Sequence, residues 1–350
     1  MSAATEMDDK ASGLRDHSST EDLSEESVLI RDCPEFRDVE PTPQFEGHAP
    51  VASIAYSESF KDAHDYLRSL LKMGELSERA LKLTEIALNI NAANYTTWKY
   101  RRDILRHLGT NPLEEYDFIK MMIPDNAKTY QVWHHCQKAL EWIGKPMDIL
   151  EFIEEVLKQD SKNYHAWQLR QWVLLHFKFS GTAEEIAFVS KMIEDDVRNN
   201  SAWNHRYFVI HTLSEFTDAV FSAEIDYTIS KIKLATNNES AWNYLRGTLA
   251  QKGQGLTHPE VEKLTELLHS RGCRSPQVLM FMADKLREDC EKADASDDIG
   301  EKVRLCSELY KVLANKWDKI RCRYWTYLSQ EFSAEFGSRI GSNEKTEVAS

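Results

Sequence analysis

Apolar residues recur every three or four positions along most of the chain, which is the spacing of one face of an α-helix. The first clear case follows Ser57, with apolar residues at Phe60, Ala63, Tyr66, Leu67, Leu70 and Leu71. A second helical pattern runs from Glu75 to Asn89. The body of the chain shows no sustained apolar–polar alternation of the kind expected for strands. The pattern therefore predicts an all-α fold.

A short stretch centred on a tryptophan occurs five times at a nearly fixed period. Its first three copies read N-Y-T-T-W, T-Y-Q-V-W and N-Y-H-A-W, and the last two read N-S-A-W and E-S-A-W. Successive tryptophans are 35, 34, 36 and 39 residues apart: Trp98, Trp133, Trp167, Trp203 and Trp242. A period of this size is typical of stacked supersecondary units.

Helix-start signals stand before the tryptophans and again between them. Asparagine N-caps are predicted at Asn94, Asn163 and Asn200. Partner helices are predicted to start at Asn111-Pro112, Pro146, Thr182 and Asp218. Later helices are predicted near residues 259–270, 275–292, 298–316 and 319–336. The units read as helical hairpins, which predicts a right-handed, crescent-shaped α–α superhelix (solenoid) of about seven antiparallel hairpins.

Four segments are predicted from composition. Residues 1–27 are rich in Ser, Glu and Asp, and we expect a disordered acidic tail that is either solvated or in contact with a partner. Residues 28–56 contain four prolines and predict an extended segment along the folded body. The helical-repeat domain is expected at residues 57–336, followed by a polar C-terminal tail at 337–350.

Charge and cysteine usage exclude several function classes. Of the net charge of −14, residues 1–50 carry −9 and the remaining 300 residues carry −5, so no basic face for nucleic acid is expected. No apolar run approaches the roughly 18 residues of a membrane span, and no signal peptide is evident, which favours a cytoplasmic location. The six cysteines form no C-x-x-C pair, so free thiols and no metal site are predicted.

The positions that recur in the copies predict packing. Large aromatic side chains at a fixed helical position fill the seam between neighbouring hairpins, and we assign this role to the five tryptophans. An arginine stands three residues after the tryptophan in three copies, at Arg101, Arg170 and Arg206. It is predicted to bind a carboxylate or helix C-terminal carbonyls in the next unit. Cys136 and Leu245 replace it elsewhere, where this contact must be absent or replaced.

The positions that vary between copies predict chemistry. Five residues before the tryptophan, the three central copies carry a cation: Lys128, Lys162 and Arg198. Polar side chains such as Gln131 and His165 stand close by. Cations beside helix N-termini suit a polyanion such as a diphosphate. The alternative is that lysines in hairpin turns are merely solvated.

Four strings carry a resemblance to a known family: T-Y-Q-V-W-H-H, K-N-Y-H-A-W-Q, V-R-N-N-S-A-W-N and N-E-S-A-W-N-Y. In this order they resemble the α-subunit family of protein farnesyltransferase and geranylgeranyltransferase type I. The upstream strings P-V-A-S-I-A-Y-S and L-N-I-N-A-A-N-Y fit as well, so the resemblance runs from about Glu40 to about Phe336. The related Rab geranylgeranyltransferase α subunit shares the repeat but ranks lower because of the N-terminal segment.

The resemblance implies an enzyme active only as a heterodimer. In this family the α subunit wraps around a β subunit, and the pair transfers farnesyl or geranylgeranyl from its diphosphate to the cysteine of a C-terminal C-a-a-X motif, as found in small GTPases. The β subunit supplies the zinc ligands, magnesium accompanies the diphosphate, and the α chain alone binds no cofactor. A non-catalytic helical-repeat scaffold, similar to tetratricopeptide proteins, is the alternative.

The resemblance also assigns residues. Lys128 would contact the diphosphate as the catalytic cation. Tyr130, Asn163, Tyr164 and His165 match positions that line or approach the diphosphate and the isoprenoid. Gln131 matches the residue that contacts the carboxylate end of the peptide substrate.

The chain departs from the family pattern at several positions. Thr129 replaces an asparagine, and Leu169 replaces an expected polar residue. Cys136 and Gln137 stand where two arginines are usual. This removes two positive charges that we expect near the centre of the subunit interface.

Overall fold

The computed structural model describes residues 29–45, 47–48, 51–253, 255–294 and 297–337. The described residues form fifteen α-helices and no strand, which confirms the all-α prediction. The predicted tails, residues 1–27 and all of 337–350 except Gly337, lie outside the described residues. The helices are α1 (Glu58–Met73), α2 (Glu78–Ile90), α3 (Tyr95–Leu108), α4 (Pro112–Met122), α5 (Tyr130–Ile143), α6 (Ile149–Gln159), α7 (Tyr164–His176), α8 (Thr182–Asp195), α9 (Asn200–Phe208), α10 (Asp218–Leu234), α11 (Glu239–Gln251), α12 (Pro259–Ser270), α13 (Pro276–Lys292), α14 (Gly300–Val312) and α15 (Cys322–Phe336).

After α1, the helices follow one another as seven pairs, from α2–α3 to α14–α15, as the hairpin count predicted. Contacts divide the chain into two compact units, residues 1–115 and 116–350. The first unit contains α1 to α3 and the start of α4, and the second contains the remaining helices. None of the described helices combines the length and the apolar composition that crossing a bilayer requires.

Two predicted helix starts are wrong, although most others agree within two residues. The cap of α9 is Asn199, whose side chain accepts hydrogen bonds from the first turn, and Asn200 is already helical. Helix α6 starts at Ile149 instead of directly after Pro146. The reason is that Met147 has a φ of +52°, which ends any helical path from Pro146.

In the first unit, the chain before α1 is fastened to that helix by polar contacts. It contains two 3₁₀ turns, and its side chains Ile30 and Phe36 are buried. The Asp62 carboxylate accepts from the Ile30 backbone N–H at 2.5 Å. Arg68 donates through Nε to the Thr42 carbonyl at 2.9 Å. The segment predicted as extended thus lies along the folded body, at least up to Thr42.

The repeated tryptophans are buried, with at most 5% of any of them exposed. Each indole donates through Nε1 to the backbone carbonyl six residues earlier, over 2.7–3.0 Å: Trp98 to Ala92, Trp133 to Ala127, Trp167 to Ser161, Trp203 to Val197 and Trp242 to Thr236. The tryptophan therefore closes the turn that precedes its own helix, besides filling the seam between helices.

In the second unit, the same carbonyls accept another hydrogen bond from the next copy. The donors are the side-chain amides of the N-cap asparagines: Asn163 to Ala127, Asn199 to Ser161 and Asn238 to Val197, at 3.0, 3.0 and 2.6 Å. One carbonyl oxygen thus holds its own helix start and the next one. This ladder fixes the position of successive helix starts relative to one another.

A second ladder joins the copies through buried ion pairs. The pairs are bidentate: Arg101 with Glu115, Arg170 with Glu185 and Arg206 with Glu224, over 2.6–2.8 Å. The predicted carboxylate partner of these arginines is confirmed, and it lies on the first helix of the following hairpin. Each glutamate stands eighteen residues before the next copy's tryptophan.

Glu185 carries an additional contact with an imidazole. His205 Nε2 lies 2.5 Å from Glu185 Oε1, and both side chains are buried. His205 Nδ1 is buried and has no hydrogen-bond partner among the described residues, so the neutral tautomer with its proton on Nε2 fits the site. Burial lowers the pKa of His205, outweighing the neighbouring carboxylate.

The repeat continues beyond the last recognisable copy. Leu279 in α13 and Trp325 in α15 each stand three residues after the first helical residue, as the five tryptophans do. Ser275, which precedes α13, donates through Oγ to the Thr236 carbonyl at 2.7 Å and takes the place of the asparagine. The indole of Trp325 bonds to the Asp318 carboxylate at 2.9 Å. A search for the motif misses these units, because other residues replace the tryptophan of α13, the asparagine before it and the backbone carbonyl that accepts from Trp325.

Candidate functional site

The predicted cation Lys128 lies in the turn before α5, and its side chain is 76% exposed. Its ammonium forms an ion pair with the carboxylate of Asp160, the residue that ends α6. The hydrogen bond from Lys128 is the main cause that lowers the pKa of Asp160. The lysine is therefore oriented towards the turn that leads into α7.

Exposed tyrosines open three of the helices. Tyr95, Tyr130 and Tyr164 are the first residues of α3, α5 and α7 and are 72%, 61% and 68% exposed. Each stands three residues before a buried tryptophan, yet its phenol reaches solvent because it projects from the helix end. Within the second unit, Tyr130 and Tyr164 thus present hydroxyl donors at successive helix starts, and His165 packs edge-on against Tyr164 with ring centroids 5.5 Å apart.

Asn163 is placed differently from the other predicted site residues. It is fully buried, its Oδ1 accepts from the Ala166 N–H at 3.1 Å, and its Nδ2 donates to Ala127. Both ends of the amide are engaged within the protein, and none of the side chain is exposed. In this structure Asn163 holds the helix start that carries Tyr164 and His165, and its predicted place near the diphosphate stays a prediction.

A groove of about 540 Å³ lies between α5 and α7. Tyr130 and His165 line it, whereas Lys128, Gln131 and Tyr164 do not. Its other walls are Trp133, His134, Gln137, Gln168, Leu169 and Trp172. The lining offers two imidazoles and two amides on an aromatic floor, a suitable surface for a polar or amphipathic chain segment.

The same groove recurs between α9 and α11, with a volume of about 360 Å³. Its residues occupy the same eight positions relative to the tryptophans, but their chemistry differs. Ser240 stands at the position of His165, and Gly247 at that of Trp172. The imidazole of His165 and the indole of Trp172 thus distinguish the α5–α7 groove from its counterpart.

The model of the protein prenyltransferase alpha subunit repeat matches five segments: residues 77–108, 112–143, 146–177, 182–213 and 221–252. These segments are the hairpins from α2–α3 to α10–α11. The protein farnesyltransferase/geranylgeranyltransferase type-1 subunit alpha of Solanum lycopersicum is 35% identical to this chain, over 87% of the chain and 92% of that protein. The chain belongs to the protein prenyltransferase α-subunit family. The resemblance found in the sequence is confirmed.

Two further comparisons, one with a solved structure and one with a sequence, also show similarity to prenyltransferases. A chain of the Candida albicans protein geranylgeranyltransferase-I complexed with GGPP superposes with a TM-score of 0.77 and 29% identity, covering 85% of this chain and 98% of that one. The geranylgeranyl transferase type-2 subunit alpha of Rattus norvegicus is 30% identical, but only over 51% of this chain and 35% of that protein. The likeness to the type-1 subunit extends along both chains, whereas the likeness to the type-2 subunit is partial.

The departures from the prenyltransferase pattern have different structural settings. Cys136 is fully buried, and burial raises the pKa of its thiol to about 12. It takes the place of the arginine in the ion-pair ladder, and Ile149, also fully buried, stands where the other copies have glutamate. Our expectation that Cys136 removes a charge from an interface is therefore wrong, because both members of an interior pair are neutral. Gln137 does line the groove.

Leu169 fits its position as an apolar residue, since it is buried at the base of the groove. Thr129 precedes α5 as expected, but its side chain makes no capping hydrogen bond. These two replacements therefore alter packing and the helix start without adding or removing a charge.

Two kinds of groove residue were missed in the sequence. The residue directly after the tryptophan is exposed and polar in every copy: Lys99, His134, Gln168, Asn204 and Asn243. That regularity was a signal, because a packing position would not stay polar. Trp172 gave no such signal, since an additional tryptophan in a helix is read as core.

Within the described part of the chain, no three His, Cys, Asp or Glu side chains are arranged to hold a metal ion.

Proposed function

We propose that this chain is the α subunit of a heterodimeric enzyme that transfers a farnesyl or geranylgeranyl group from its diphosphate to the cysteine of a C-terminal C-a-a-X motif. The observation that carries the proposal is the 35% identity to the type-1 α subunit along 92% of that protein. The likeness to the type-2 subunit, which spans 35% of that protein, makes the Rab enzyme the weaker candidate.

The reaction replaces one bond at the first carbon of the isoprenoid. The carbon–oxygen bond to the diphosphate breaks and leaves its electron pair on the oxygen. A thioether bond forms with the substrate sulfur, whose proton is lost. Negative charge thus increases on the diphosphate oxygens in the transition state. A fixed ammonium aimed at those oxygens stabilises the transition state more than the ground state.

The exposed residues at the starts of α5 and α7 suit this task. Lys128 supplies the ammonium, and the hydroxyls of Tyr130 and Tyr164 with the His165 imidazole supply further hydrogen-bond donors. Gln131, half-buried in the first turn of α5, would bind the terminal carboxylate of the peptide. Asn163 supports this arrangement by capping α7 and bonding to the turn before α5.

The proposal includes a β subunit as obligatory partner, a cytoplasmic location and no nucleic-acid ligand. Zinc in the partner would activate the substrate thiol, and magnesium would accompany the diphosphate, as the resemblance implies. A non-catalytic helical scaffold is not favoured. It gives no reason why two equivalent grooves should differ in the chemistry of their lining residues.

Co-expression tests the proposal directly. The chain is produced alone, with a type-1 β subunit, and with a type-2 β subunit as control. Transfer of radiolabelled farnesyl or geranylgeranyl to a C-a-a-X peptide is then measured. Activity is expected only with the type-1 partner. Failure to form a complex with either a farnesyltransferase or a geranylgeranyltransferase-I β subunit would falsify the proposal.

A further inference from the structure

Asp160 uses its two carboxylate oxygens for two different purposes. Oδ1 accepts the backbone N–H of Lys162 at 3.1 Å and so closes the turn between α6 and α7. Oδ2 accepts the hydrogen bond from the ammonium of Lys128, a residue 32 positions earlier. The carboxylate therefore connects the turn before α7 with the cation that precedes α5.

The two partners differ in rigidity. The backbone of Asp160 is held on both sides, since its N–H bonds to the Val156 carbonyl and its carbonyl accepts from the Asn163 N–H, both at 3.0 Å. Lys128 has a flexible four-carbon stem and is largely exposed. A rigid carboxylate that accepts from a mobile ammonium limits the directions in which that ammonium points.

The next copy shows that the arrangement follows from the position of an aspartate. Asp196 stands where Asp160 does, accepts the Arg198 N–H at 2.9 Å, and lies 3.5 Å from the Lys162 ammonium. One copy further, the position is Ala235, and Arg198 has no ion pair within the described residues. An aspartate at this position thus determines whether the preceding copy's cation is held.

We propose that Asp160 is a positioning residue that orients the Lys128 ammonium over the start of α7, where a diphosphate would lie. This inference rests on the proposed function. An ammonium has three N–H donors, so a bond to Asp160 leaves two for diphosphate oxygens. Because the pair is exposed, the gain is modest, and holding the lysine is worth about two- to fivefold in rate.

The test uses the heterodimer with its β subunit. Asp160→Asn keeps the oxygen that closes the turn but removes the charge, and Asp196→Asn is the matched control one copy further. We expect kcat to fall about two- to fivefold in the first variant and to stay unchanged in the second. The KM for the peptide should be unchanged in both. In a Lys128→Ala background, Asp160→Asn should have no further effect.

The outcomes separate the inference from the proposed function. If Lys128→Ala slows turnover and Asp160→Asn does not, the positioning role is overturned and the proposed function stands. If Asp160→Asn slows turnover equally without Lys128, Asp160 acts through the fold, and the inference also fails. If Lys128→Ala has no effect, the assigned site itself is wrong. Should Asp160→Asn not assemble, Asp160→Ser, whose hydroxyl can also close the turn, replaces it.

Discussion

Asn163 donates a hydrogen bond through Nδ2 to the carbonyl oxygen of Ala127, 3.0 Å away, while its Oδ1 caps α7. The Trp133 indole bonds to the same oxygen. The bond between Asn163 and Ala127 therefore links the turn that holds Lys128 with the helix that carries Tyr164 and His165. Aspartate and serine cap helices as well as asparagine does, but aspartate cannot make the second bond. The link between copies therefore explains why this cap is an asparagine and not an aspartate.

Replacing Asn163 by alanine should destabilise the chain by about 2–3 kcal/mol, because it removes a cap and leaves buried backbone groups without partners. Asn94→Ala is the matched control: it removes only the cap of α3, whose asparagine bonds to Thr96 and Thr97, and should cost about 1 kcal/mol. Thermal unfolding followed by circular dichroism measures both. Equal losses would show that the bond to Ala127 adds no stability.

Glu224→Leu should destabilise the fold by about 3–5 kcal/mol, since it leaves the buried guanidinium of Arg206 without its carboxylate. The double variant Arg206→Leu/Glu224→Leu should cost clearly less than the sum of the two single changes. Urea unfolding of the four proteins gives the coupling energy. The exposed Glu260–Lys263 pair is the control, and Glu260→Leu should change stability by less than about 1 kcal/mol. Additive losses at Arg206 and Glu224 would contradict a coupled pair.

His205 should make the fold sensitive to mild acid. Burial lowers its pKa below the ordinary 6.5, so below about that pH the unfolded chain binds a proton that the folded chain resists. Stability is thus fully present above pH 6.5 and decreases as the pH falls further. His205→Gln, which keeps a donor for Glu185, should flatten the change in melting temperature between about pH 7 and 5. An unchanged slope in His205→Gln would count against the assignment.

Lys128→Ala should reduce the kcat of the heterodimer roughly a hundred- to a thousandfold, because it removes a donor to the charge that develops on the diphosphate. Lys162→Ala, the same position one copy further, should have little effect. Size-exclusion chromatography should show unchanged assembly for both. Turnover equal to that of the unaltered enzyme would remove Lys128 from the mechanism.

Gln131→Ala should raise the KM for a C-a-a-X peptide roughly tenfold, the size expected for one lost hydrogen bond to a charged carboxylate. The KM for the isoprenoid diphosphate should not change. Gln137→Ala, in the groove beside it, is the comparison. Steady-state kinetics with each substrate varied in turn measures the two KM values for each variant. A rise in the KM for the isoprenoid diphosphate instead would assign Gln131 to a different subsite.

The fold could be predicted because its signals are local. Helix periodicity, asparagine caps and the tryptophan period all lie within a few residues, and they located the helices to the end of α15. The sequence predicted either a carboxylate or helix C-terminal carbonyls in the next unit as partners of the arginines, and the structure shows the carboxylate. Their identity required the packing of one hairpin against the next.

The candidate site was less accessible to sequence reasoning. The contact between Lys128 and Asp160 spans 32 residues and depends on how two turns stack. The capping signal at Asn163 was read correctly, but its second bond, which removes the residue from the surface, has no local sign. The coupled change of Cys136 and Ile149 becomes visible only when the copies are aligned on the ion-pair ladder.

The distance from each bonded carbonyl to its tryptophan is six residues in all five copies, whereas successive tryptophans are 34 to 39 residues apart. The differences in length therefore lie outside the six-residue segments. In the copies with an ion pair they lie between one tryptophan and the glutamate of the next hairpin, because each glutamate stands eighteen residues before its own tryptophan. Where Lys128 and Tyr130 lie, the six-residue segment is closed by the hydrogen bond from the Trp133 indole to the Ala127 carbonyl. Loop grafting or domain insertion in this protein should accordingly be tolerated at the far ends of the hairpins, and a single residue added between Ala127 and Trp133 should not.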